Sequence, residues 1–99
     1  DTTREEPFTL GAKEPMIKDF VLYPNPSDGT FTVEIELREQ EDIMLDVFNL
    51  KNGKLLSRKE ENGLANYRVE YQLYNISPGI YMIVLRVEDE KRTLRIIIT

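Results

Sequence analysis

Residues 30–38 read Thr-Phe-Thr-Val-Glu-Ile-Glu-Leu-Arg, and this stretch decides the fold class. Phe31, Val33, Ile35 and Leu37 alternate with Thr32, Glu34, Glu36 and Arg38. In an extended chain that spacing puts the apolar groups on one face and the polar groups on the other, as in a half-buried strand. The same texture recurs outward from it. Tyr67, Val69, Tyr71 and Leu73 alternate with Arg68, Glu70 and Gln72, and Leu94, Ile96 and Ile98 alternate with Thr93, Arg95 and Ile97. Residues 80–87 are apolar on both faces, which places them centrally in a sheet. With 17–23, 43–50 and 54–59 the count of expected strands is seven, and no segment sustains a helical period.

The punctuation between these runs is that of turns. Ser27-Asp28-Gly29 leaves Gly29 free to take positive φ, and Asn52-Gly53 is a strong hairpin signal. Ser77-Pro78-Gly79-Ile80 has the proline and glycine of a type II turn, and Glu88-Asp89-Glu90-Lys91 reads as a polar loop. Seven short strands with such spacing predict an all-β, immunoglobulin-like sandwich of antiparallel strands. Residues 17–99 form this domain. Residues 1–16 lack periodicity and contain Pro7, Gly11 and Pro15, so they read as a linker or arm, pinned by Phe8 and Leu10.

Composition narrows the chemistry. The chain of 99 residues carries a net charge of −5 without a compensating basic stripe, which disfavours nucleic acid and anionic membranes. The longest apolar run, 80–85, is too short to insert across a bilayer. Asp1 to Glu6 does not have the make-up of a signal peptide, so the expectation is a mature product or a piece of something longer. There is no cysteine and no histidine, so a Ser-His-Asp triad, a Cys-His dyad and a His/Cys zinc site are excluded. Neither catalysis nor a cofactor is expected.

Four constellations invite chemistry and are better read otherwise. Glu34 and Glu36 point the same way about 7 Å apart, which could suit paired carboxylates, but a solvated sheet face is the simpler reading. The acidic turn at Glu88 to Glu90 and Asp28 offers oxygen ligands without the ordered spacing of a calcium loop. Asn75-Ile76-Ser77 matches the glycosylation pattern but is followed by Pro78. Tyr67, Tyr71 and Tyr81 could stack on sugars, yet fall on positions better explained as core. The last strand is strongly β-prone and is a feature a partner could grip, by adding a strand to it.

Several of these segments together resemble the C-terminal sorting domain of the type IX secretion system of Bacteroidota. Tyr23-Pro24-Asn25-Pro26-Ser27-Asp28-Gly29-Thr30-Phe31 is similar to the family's opening signature. Val47 to Lys54, with Gly53 before Lys54, is similar to its middle hairpin, and Ile76-Ser77-Pro78-Gly79-Ile80-Tyr81 to its glycine-x-tyrosine segment. Thr93-Leu94-Arg95-Ile96-Ile97-Ile98-Thr99 resembles its basic and apolar ending. The resemblance implies a non-catalytic address label. The parent cargo, on the N-terminal side, would cross the inner membrane, fold in the periplasm and pass the outer membrane through the translocon. A sortase would then remove the domain, leaving the cargo secreted or at the cell surface. The recognition candidates so implied are Tyr23, Pro24, Asn25, Pro26, Gly29, Gly53, Lys54, Gly79, Tyr81 and residues 94–99. The competing expectation is an accessory sandwich, carbohydrate-binding or spacer, attached to a secreted hydrolase.

Overall fold

The alternation at 31–37 is realised as a strand whose Phe31, Val33, Ile35 and Leu37 are all buried. In the computed structural model, which describes residues 14–99, the elements are β1 (Ile17–Tyr23), β2 (Thr30–Asn49), β3 (Leu55–Gln72), β4 (Gly79–Val87) and β5 (Glu90–Ile98). All named pairings are antiparallel, in the order β1-β2-β4-β5, with β3 on β2. The described residues contain no helix. The fold is the expected all-β, immunoglobulin-like sandwich type, with five strands rather than seven.

The strand count falls because two pairs of expected strands are continuous. Glu39-Gln40-Glu41-Asp42 contains neither glycine nor proline, so nothing breaks the extended backbone between 30–38 and 43–50. The β2–β3 register shifts between Glu36 and Glu41 and again between Glu41 and Ile43, which carries the strand from one layer to the other. The first half of β2 pairs with β1 and the second half of β3. Its second half pairs with β4 and the first half of β3, and β4 carries β5 on its far side.

The Tyr67 hydroxyl holds this corner, donating to the Glu41 carbonyl at 2.7 Å and accepting from the Leu64 N–H at 3.0 Å. Gly63 takes φ +79° there and donates its N–H to Asp42 Oδ1. Lys59 spans the halves of β3, with its Nζ 4.3 Å from the centre of the Tyr71 ring and donating to the Glu70 carbonyl.

The inward faces meet in one core containing Ile17, Phe31, Val33, Leu45, Val47, Tyr71, Ile83, Leu85, Ile96 and Ile98. Each such side chain contributes about 1.5–3 kcal/mol when fully buried. As expected, β4 lies between two strands. Met16 is also buried in this core. Of the arm expected over 1–16, residues 1–13 lie outside the described residues.

Two turns and one loop depart from expectation. Asn52-Gly53 is not a two-residue hairpin turn. The loop runs from Leu50 to Gly53, closed by an Asn49 N–H to Lys54 carbonyl bond at 2.9 Å, with Gly53 at φ +73°. Gly79, at φ +154°, opens β4 opposite Ile98 instead of sitting third in a type II turn. The polar loop of 88–91 shrinks to Glu88-Asp89, because Glu90 pairs with Val87 and Lys91 with Arg86.

Candidate recognition site

The segment from Tyr23 to Gly29 leaves β1, crosses to the other layer and returns into β2. Both of its prolyl bonds, Tyr23-Pro24 and Asn25-Pro26, are cis. Pro24 and Pro26 are exposed and donate no N–H, so the segment's hydrogen bonding falls to Asn25 and Ser27. The Asn25 side chain behaves as a surrogate peptide group. Its Nδ2 donates to the Arg95 carbonyl at 3.1 Å, and its Oδ1 accepts the Ile97 N–H at 3.0 Å. Ser27 continues the pattern with its backbone. Its N–H donates to the Ile97 carbonyl, and its carbonyl accepts the Thr99 N–H, each at 2.9 Å, a parallel bridge centred on Ile98.

This clasp corrects one reading of the last strand. In the β4–β5 pairing, the backbone groups of Arg95, Ile97 and Thr99 face away from β4. The Arg95 carbonyl, both groups of Ile97 and the Thr99 N–H are taken by Asn25 and Ser27. A partner strand cannot be added to β5 there without displacing the loop. What stays accessible is the outward side-chain face, where Arg95, Ile97 and Thr99 are exposed while Ile96 and Ile98 are buried and Leu94 packs against the core.

Ser27 carries no functional signal in the sequence beyond its place before Asp28-Gly29, yet it is buried and fully engaged. Its Oγ–H donates to the Thr30 carbonyl at 2.8 Å and its Oγ accepts the Gly29 N–H at 3.1 Å. Asp28 Oδ1 accepts the Thr30 N–H, and the Gly29 carbonyl accepts the Leu73 N–H. Gly29 is buried at φ +112°, and a Cβ on it would lie 2.7 Å from the Leu73 carbonyl oxygen, inside contact distance.

The other predicted residues gather at the same end of the sandwich. Gly79 pairs with Ile98, and Tyr81 pairs with Ile96. The buried Tyr81 hydroxyl donates to the Ser77 carbonyl at 2.7 Å, tying the start of β4 to the loop before it in the manner of a tyrosine corner. The hairpin holding Gly53 and Lys54 arrives beside them, since the Leu50 N–H donates to the Ile80 carbonyl and Asn49 pairs with Tyr81. Residues 49–52 and 77–81 line one shallow depression.

Tyr23 stands apart. It ends β1, and its hydroxyl donates to Glu34 Oε2 at 2.6 Å on the outer face of the first layer. That bond raises its hydroxyl above the usual phenol range, because ionisation would forfeit it. Glu34 also accepts from Arg68 at 3.1 Å, and Glu36 pairs with Lys18 at 3.3 Å. These carboxylates therefore belong to a charged, solvated sheet face. Tyr67, Tyr71 and Tyr81 are buried, as expected of core positions, and supply no stacking platform.

The far end of the layer seam is closed by a residue that the sequence marks only as acidic. Glu90 accepts the Met16 N–H at 2.6 Å and the Ile17 N–H at 3.1 Å, and these two bonds hold its carboxyl below the usual range. Arg92 donates to the Ile17 carbonyl at 3.2 Å.

The family described as the secretion system C-terminal sorting domain matches residues 21–99. That span opens in β1, just before the Tyr23 segment, and reaches Thr99, so it takes in both sides of the clasp. A search of curated proteins gave no match.

Proposed function

The chain belongs to the type IX secretion C-terminal sorting domain family, and from that membership we propose that the clasped end of the sandwich is the address read by the outer-membrane translocon. As a sorting signal of that system, the domain accompanies a parent cargo that is exported, to be secreted or kept at the cell surface. The observation that carries the proposal is the convergence of the four motif segments. The Asn25–Ser27 loop, the 50–53 hairpin, the start of β4 and the end of β5 are separate in sequence but hydrogen-bonded into one end of the fold. A receptor that engages this end reads all of them at once, and reads them only in the folded domain.

In this proposal the cargo travels N-terminal to the domain and a sortase removes the domain after passage. The cut falls on the N-terminal side of Met16, because the Met16 and Ile17 N–H groups are held by Glu90 and their side chains are buried. The test fuses residues 1–99 behind a periplasmic reporter in a type IX-competent host. Surface delivery is the expected result, with mass spectrometry placing the new terminus between Glu5 and Pro15. Retention of the reporter in the periplasm would refute the sorting role. A terminus inside β2 would refute the proposed cut.

A further inference from the structure

We propose that the outer face of the β3–β2–β4–β5 layer is the docking surface, and that its occupant is an apolar protein surface rimmed by carboxylates. This rests on the sorting reading above and identifies the face through which it acts. Ile97 of β5 pairs with Ile80 of β4, and the Leu50 N–H donates to the Ile80 carbonyl. Met82 of β4 pairs with Phe48 of β2, which pairs with Leu55 of β3. Cross-strand partners share a face, so these six side chains form one apolar row across the four strands of the layer. Ile97 is 47% exposed, Ile80 44%, Leu55 45% and Leu50 39%, so four of the nine large apolar side chains left exposed among the described residues fall on this row. Such concentration on one rigid face marks a contact surface, whereas scattered exposed leucines would not.

The charges around the row identify the occupant. Arg95 pairs with Met82, and Lys91 pairs with Arg86 on the same face, while Lys51 and Lys54 flank Leu50 in the hairpin. The Asp46 carboxylate of this face is fully buried between Arg58 and Arg86. The opposite outer face carries Asp19, Glu34, Glu36 and Glu70 against Lys18 and Arg68. In a chain of net charge −5, the apolar row therefore lies on the cationic side. A second copy of the chain would bring like charges together across a two-fold axis. A bilayer is disfavoured because interfacial binding buries apolar groups about 5–10 Å deep, and here Arg86 and Arg95 stand on the same strands and face as the row.

The test uses the reporter fusion with the full chain. Ile80→Glu with Ile97→Glu should reduce surface delivery by about ten-fold or more, since each carboxylate would be desolvated against the partner, while thermal unfolding stays near wild type. Lys91→Glu with Arg95→Glu should reduce delivery comparably. A control with Asn62→Glu and Leu64→Glu, on β3 away from the row, should be delivered normally. If the wild type is not delivered, the sorting reading itself fails. If the wild type is delivered and the folded Ile80/Ile97 variant is delivered equally, the docking face is wrong. Equal delivery of the Lys91/Arg95 variant would overturn the acidic rim, and a block in the control would reduce the effect to net charge. Binding of the wild-type chain to phosphatidylglycerol vesicles, lost in the Ile80/Ile97 variant, would overturn a protein occupant in favour of the membrane.

Discussion

Asn25 holds the backbone of Ile97 through its side chain, with Oδ1 3.0 Å from the Ile97 N–H and Nδ2 3.1 Å from the Arg95 carbonyl. The two residues are far apart in sequence, one in the signature loop and the other in the last strand. A residue that only accepts or only donates could make one of these bonds but not both. The amide is required because it does both.

Replacing Asn25 by alanine should therefore cost about 1–2 kcal/mol, the loss of two exposed hydrogen bonds. Asn25→Asp should be no better than alanine, because a carboxylate would keep the Ile97 contact while facing the Arg95 carbonyl without a proton. Urea denaturation gives the energies. Amide exchange at Ile97 should quicken in both variants, and unchanged exchange would show that the clasp does not hold the strand.

The glycines should rank by geometry. Gly29→Ala meets both a positive φ and a Cβ 2.7 Å from the Leu73 oxygen, so it should cost more than about 2 kcal/mol. Gly53→Ala, at φ +73° with open space around it, should cost about 1 kcal/mol. Gly79→Ala, with nothing near but a φ of +154° that side chains other than glycine's rarely adopt, should fall between the two. Melting temperatures of the three variants check the order, and an equal loss at all three would refute it.

Acid should destabilise the fold through two carboxylates. The hydrogen bond from Arg58, with Arg86 beside it, holds Asp46 below its usual range, and the Met16 and Ile17 N–H groups do the same for Glu90. A depressed carboxyl contributes stability that is fully present above its unfolded value, about 4, and is lost as the pH falls through the folded one. Unfolding followed from pH 7 to pH 2 should show a steep loss below about pH 4. Asp46→Asn should be less stable at pH 7 and show a shallower acid decline. A parallel decline in both proteins would remove Asp46 from this account.

Tyr71 offers the opposite kind of test. Its hydroxyl is buried and has no hydrogen-bond partner among the described residues, and burial raises it above the usual phenol range. The ring is stacked on Phe31, with centroids 4.9 Å apart. Tyr71→Phe keeps the ring and removes the unpaired group, so it should be neutral or stabilising by up to about 1 kcal/mol. A loss of more than about 1 kcal/mol would mean that the hydroxyl has a partner, such as bound water.

Local alternation alone fixed the inward set of three stretches, 31–37, 67–73 and 94–98. Alternation of Phe31, Val33, Ile35 and Leu37, or of Ile96 and Ile98 with Ile97, fixes which side chains are buried as soon as the backbone is extended. The motif segments and Gly29 were legible for the same local reason, since turn residues announce themselves. Three features were decided only by the tertiary structure. The continuity of β2 through Glu39 to Asp42 depends on Tyr67 and Asp42 holding a corner, because a polar run has no periodicity of its own. Glu90 reads as one more solvated acid until chain closure brings the Met16 and Ile17 N–H groups to it. The roles of Asn25 and Ser27 are the clearest case: a side-chain amide and a backbone edge acquire meaning only from the strand laid against them. Hydrophobic period is a property of neighbours in sequence, whereas a hydrogen bond between layers is a property of closure.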